Sequence, residues 1–155
     1  MSVAFRRDND EEHKEPRFEI PLPPGPNMVT VRGLALIRER LAAAEVAVAA
    51  AEDDEAREAA RRELRYWNTR AGTAQLAPAP EPDTVAIGTQ VRFRLAGRER
   101  TIAIVGHDEA EPHAERIAFS APLAQAMIGA EVGERVDFNG RPEAIEVIAV
   151  EPLDD

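Results

Sequence analysis

The residues best equipped for chemistry are four consecutive carboxylates, Glu52, Asp53, Asp54 and Glu55, in the stretch AEDDEA between two alanine-rich runs. Negative charge at this density suits a metal cation or a basic partner surface. The same residues also have a structural use. Asp53 as the N-cap of a following helix, with Asp54 and Glu55 in its first turn, would satisfy unpaired amides and complement the helix dipole. That use leaves Glu52 unexplained, because it falls at the negative end of a preceding helix, where a basic residue is favoured.

A second group, His107, Asp108, Glu109, Glu111 and His113, has the composition of a metal site. It is crowded into a short loop after a strand, without established ligand spacing, so no metal is expected there. Ser120 has no base nearby in sequence that would activate it, and it reads as a helix cap rather than a nucleophile. The chain has no cysteine, which excludes disulfides and every thiolate-based metal or redox site. A formal charge of −10 and a pI near 4.9 oppose binding to nucleic-acid phosphates or an anionic membrane. No apolar run resembles a signal-peptide core or a membrane span, so the expectation is a soluble cytoplasmic protein.

The elements that must position the carboxylates follow from periodicity. Leu34, Ile37, Leu41, Ala44, Val48 and Ala51 recur at intervals of 3, 4, 3, 4 and 3, the rhythm of a helix packing along a narrow seam, with Thr30 as its N-cap. Ala60, Leu64, Trp67, Ala71 and Ala74 repeat that rhythm before APAPEPD ends it. On one straight helix the two stripes would point roughly 130° apart, so one partner could not cover both. Two antiparallel helices bring them face to face, with the carboxylates at the bend. Helices of about 20 residues would project roughly 30 Å. Tyr66 and Trp67, isolated in this alanine-rich segment, are expected to pack where the helices meet the rest of the protein.

Residues 1–29 combine dense charge with PLPPGP and read as a mobile tail that cannot bury enough apolar surface to order itself, with Phe18, Ile20 and Leu22 able to pin its end. Residues 30–76 are the helical segment and 77–83 a proline-rich linker. Residues 84–155 have the punctuation of a small β-rich domain. Val91, Phe93 and Leu95 alternate with arginines, Ala96-Gly97 and Asn139-Gly140 mark reversals, and SAPLAQAMIG reads as a short helix covering the sheet through Leu123, Met127 and Ile128.

In this order, an acidic-tipped helical pair, a proline-bearing linker, then IVGHDEAE, FSAPLAQAMIG and VGERV, the parts resemble the GreA/GreB family of bacterial transcript-cleavage and elongation factors. The resemblance covers about residues 28–152 and is most specific over 104–136, with NMVTVRGLALI and TAQL adding support. It implies an α+β protein: an N-terminal antiparallel α-helical coiled-coil hairpin followed by a small FKBP-like β domain with one short helix. The implied partner is bacterial RNA polymerase, engaged by a monomer with no catalytic residue of its own and no sequence-specific nucleic-acid binding. In cleavage-competent members the domain docks on the rim of the secondary channel, the coiled coil enters it, and acidic tip residues help hold a second Mg²⁺ of the polymerase. Asp53 and Asp54 are the first positions to carry that role over to, with Glu52 and Glu55 as alternates, while Ser120, Pro122 and Leu123 take the docking role. No other cofactor is implied.

The chain also departs from the family pattern. Its arms are shorter than those of the cleavage factors by roughly two to three turns of about 5.4 Å each. A tip ~10–15 Å short cannot coordinate an active-site metal, and in this the chain resembles Rnk, a relative that binds polymerase without promoting cleavage. Ala121 stands where many members carry serine. A different class, peptidyl-prolyl isomerase or chaperone, is suggested by the FKBP-like domain alone. It needs an aromatic-lined pocket, whereas Phe93, Phe119 and Phe138 fall at core positions.

Overall fold

The computed structural model describes residues 19–154. It is a mixed structure of two long helices and a β-sheet. Helix α1 spans Val31–Ala50 and α2 spans Asp54–Thr73. Thr30 caps α1, its side chain accepting from the Gly33 amide at 3.0 Å, and Asp53 caps α2, accepting from Ala56 at 2.7 Å. Only Ala51–Asp53 separate the helices. Asn27, just before α1, donates to the Arg70 carbonyl at 2.9 Å near the end of α2, so the chain must reverse between the two. All eleven positions of the two apolar stripes are buried or half-buried, Ile37 and Ala44 most completely.

At the foot of the pair, strand β1 (Met28–Val29) runs parallel to β2 (Gln75–Leu76). This places part of the expected N-terminal tail in the folded body, with Asn27 and Val29 both buried. The pin expected of Phe18 lies outside the described residues. Ile20 and Leu22 are exposed but line a cleft with Arg65, Tyr66 and Thr69 of α2, and Glu19 makes a two-pronged ion pair with Arg65, at 2.8 and 2.6 Å.

The five-stranded sheet comprises β3 (Thr89–Leu95), β4 (Arg98–Val105), β5 (Arg116–Ala118), β6 (Arg135–Phe138) and β7 (Arg141–Pro152), in the order β5-β4-β3-β7-β6. The turn residues Ala96-Gly97 and Asn139-Gly140 all have positive φ, the conformation that matches the twist of two hairpin strands. Period-two alternation turns Val91 and Phe93 inward, where they pack with Ile102, Ile104, Ile145 and Val147. Helix α3 (Pro122–Met127) closes this core with Ala124 and Met127.

Two sequence expectations for α3 are corrected. The capping position is Ala121, which has no side-chain acceptor, because the helix starts one residue later than a Ser120 cap requires. Ile128 has already left the helix and is exposed, so Ala124 takes the inward place assigned to it.

Candidate functional site

The acidic turn joins the C-terminal end of α1 to the N-terminal end of α2, opposite the helix ends that Asn27 and Arg70 bring together. Asp53 spends one carboxylate oxygen on its cap, and Asp54, fully exposed, accepts from Arg57 at 3.2 Å. Arg57 also donates to the Ala51 carbonyl at 3.1 Å, supplying the cation that the negative end of α1 favours. This relieves the conflict noted at Glu52. Glu52 and Glu55 are exposed, with no side-chain partner among the described residues. No group of three or more His, Asp or Glu among the described residues could hold a metal ion. The tip therefore fits magnesium only as a donor of one or two hard oxygens to a site whose remaining ligands come from elsewhere.

The His107–Glu109 cluster is a junction between elements. After β4, these residues form a single 3₁₀ turn, and each side chain reaches a different element. Glu109 is buried and accepts from the Thr30 hydroxyl, at 2.7 Å to Oε1, and from the Gly106 amide at 3.2 Å. Asp108 accepts from Arg70 Nε at 2.8 Å and from the Tyr66 hydroxyl. The Arg70 and Asp108 side chains are only 4% and 6% exposed. Arg70 reaches on to Asn27 Oδ1 at 2.7 Å. Burial and the neighbouring Asp108 carboxylate raise the Tyr66 hydroxyl well above its ordinary value, keeping it a neutral donor. Tyr66 thus meets the β domain as expected. Trp67 differs: it donates to Glu63 at 3.2 Å and lies under Arg40, both on the helical pair.

His107, far from Ser120 in sequence, meets it in the fold. Its Nε2 is 2.8 Å from Ser120 Oγ, a contact made possible by the parallel pairing of β4 with β5. Its Nδ1 is buried without a hydrogen-bond partner, so the neutral form with the proton on Nε2, donating to Ser120, fits the site. Among the described residues none hydrogen-bonds Nδ1 to orient the ring as a nucleophilic triad requires. The contact holds the segment leading into α3. Ser120 and Pro122 are exposed, whereas Leu123 is half-buried against the core. Beside them lies an apolar groove of about 420 Å³, with Pro78, Pro80, Ile87, Phe119 and Ile128 among its walls. Phe119 is the one aromatic residue lining it.

Arg70, Asn27 and the Asp108–Glu109 pair were not singled out from sequence as a unit. The available signal was a pair of acids one residue beyond the apolar run IAIVG, where a buried strand delivers them to the interior.

The sequence model described as "Transcription elongation factor, GreA/GreB, C-term" matches residues 79–152. The transcription elongation factor GreA of Rhizobium etli is 38% identical over 72 residues, 44% of this chain and 46% of that protein. GreA of Agrobacterium fabrum is 44% identical over 55 residues, 34% of this chain and 35% of its own. The chain thus spans about half the length of the first of these relatives, or less. Among solved structures, Gfh1 (GreA factor homolog 1) of Thermus thermophilus gives a TM-score of 0.37 at 19% identity, covering 82% of this chain and 99% of that one. The GreA/GreB factor of Nitrosomonas europaea gives 0.39 at 15%, covering 82% and 98%. Superpositions this loose carry no argument about the helical pair. Over residues 79–152, its sheet and α3, the chain is similar to the GreA/GreB family of transcription elongation factors.

Proposed function

We propose that this chain is a regulator of transcript elongation that binds bacterial RNA polymerase, docking through an FKBP-like β domain and projecting an antiparallel coiled coil into the secondary channel. The observation that carries this reading is the placement of four carboxylates at the far end of two 20-residue helices, whose foot is fastened by buried polar contacts to the domain that matches the family. Ser120 and Pro122 would contribute to docking, with Leu123 supporting them from the core side.

Asp53 and Asp54, with Glu52 or Glu55, would offer oxygens to a magnesium ion otherwise held by the polymerase. When bound there, magnesium supplies activation of water and stabilises charge at the scissile phosphate. This chain's part is to present ligands on a stiff rod; it has no reaction centre of its own, and it would work where polymerase does, in the cytoplasm. Binding to core polymerase at micromolar protein in low salt is the first test, and absence of binding sinks the proposal. A backtracked complex then reads cleavage, which Asp53→Asn with Asp54→Asn should abolish.

The helix length favours a second, Rnk-like version. Twenty residues give about 30 Å of rod, and a tip that stops short would occupy the channel without promoting cleavage. Wild-type protein that binds yet yields no cleaved RNA selects this version. Isomerase chemistry has less support, because the apolar groove beside α3 offers a single aromatic ring.

A further inference from the structure

We propose that His107, Asp108 and Glu109 are positioning residues: one turn that fixes the angle at which the helical arm leaves the β domain. Three consecutive side chains bind three different elements. Glu109 holds Thr30 at the start of α1, Asp108 holds Arg70 and Tyr66 on α2, and His107 holds Ser120 at the approach to α3. Such an arrangement constrains rotation about more than one axis, which a single contact cannot do.

The composition of the junction supports this assignment. The apolar core of the β domain takes in only Met28 from the foot of the arm, as a partly buried neighbour, and nothing from α1 or α2. Apolar burial is non-directional and would leave the angle loosely set. The contacts that cross the junction include hydrogen bonds and an ion pair, which have preferred directions. Buried ion pairs add little to stability compared with apolar replacements, and their better-attested use is to select one arrangement among several.

Leverage gives the angle its importance. On a rod of about 30 Å, a tilt of ~10° at the foot moves the tip by roughly 5 Å. Magnesium tolerates ligand distances of only about 2.0–2.1 Å, so a loose foot would remove the tip carboxylates from any shared site. That consequence rests on the function proposed above, but the rigidity of the junction does not.

The absence of cysteine allows clean labelling. Spin labels at Glu52→Cys and Arg141→Cys, read by pulsed electron resonance on the free protein, report the distance from tip to sheet. The otherwise unaltered chain should give one narrow distribution. Asp108→Asn should widen it at least twofold while circular dichroism stays unchanged. Tyr66→Phe, which deletes one hydroxyl and is safe for folding, should widen it measurably, and decides the matter should Asp108→Asn fail to fold. Distributions equally narrow in the folded variants overturn the proposal, as does a broad one before any substitution. A narrow distance in a protein that does not bind polymerase supports the clamp and removes only the transcriptional reading.

Discussion

A β-carbon on Gly33 would lie 2.3 Å from Oε2 of Glu109, closer than real contacts allow. The carboxylate cannot simply swing aside, because the Thr30 hydroxyl and the Gly106 amide hold it. Gly33→Ala should therefore cost about 1–3 kcal/mol through overpacking, outweighing the ~1 kcal/mol that alanine gains over glycine in a helix. Gly72, also helical, has nothing within 4 Å of the same construction. Gly72→Ala should stabilise by up to ~1 kcal/mol. Urea denaturation of both variants checks the opposite signs.

Removing one partner of the Arg70–Asp108 pair leaves a charge buried, whereas replacing both by apolar side chains removes both charges while Asn27 Oδ1 and the Tyr66 hydroxyl lose these partners. Arg70→Met should cost about 3–5 kcal/mol, and adding Asp108→Leu should recover part of that loss. A double variant as unstable as the sum of the two single changes would show that the residues are not coupled. Denaturation midpoints for the complete cycle give the answer.

The long helices and the sheet were legible because their signals are local. A seam repeating from Leu34 to Ala51, caps at Thr30 and Asp53, and reversals at Ala96-Gly97 and Asn139-Gly140 each need only a few neighbouring residues to be recognised. The junction was not legible as such. Asp108 meets Arg70 across 38 residues and Glu109 meets Thr30 across 79, and long-range polar pairs leave no periodic trace. Strand β5 escaped notice for a related reason: at three residues it carries almost no alternation, and a parallel neighbour defines it. Its pairing is what brings His107 to Ser120, so the same omission hid that contact.

At the tip, structure and charge can be separated at Asp53. Asparagine caps a helix about as well as aspartate, whereas alanine does not cap it. Asp53→Ala should cost about 1 kcal/mol, and Asp53→Asn almost nothing. Any effect on polymerase shared by both variants then belongs to the lost charge. An effect confined to alanine belongs to fraying of α2. Thermal melts alongside the transcription assay distinguish the two.

His107 should make stability depend on pH. Its imidazole is held below its ordinary value chiefly by burial and then by the Arg70 guanidinium, against an opposing pull from Asp108. Phe119 and Ser120 also contact the ring and carry no charge. The unfolded chain therefore takes up the proton first as pH falls. The contribution of the neutral ring is complete above about pH 6.5 and is lost progressively as pH drops through the lower folded value. His107→Gln keeps a donor for Ser120 and removes the titration. Relative to that variant, the wild type should lose stability between pH 7.5 and 5. A constant difference across the range would mean that the ring charges as readily folded as unfolded.

Arm length is the variable that separates the two versions of the proposed function, and it can be changed without touching the tip. One heptad added to each helix at matching height preserves the 3.5-residue repeat of the seam and lengthens the rod by roughly 10 Å. That is close to the ~10–15 Å by which the tip would fall short. If the wild type binds polymerase and leaves backtracked RNA intact, the lengthened protein should begin to stimulate cleavage. Asp53→Asn with Asp54→Asn in the lengthened protein should silence it again. A lengthened protein that binds, keeps its helical signal and still does not cleave would remove reach as the explanation and place the deficiency in the carboxylates themselves.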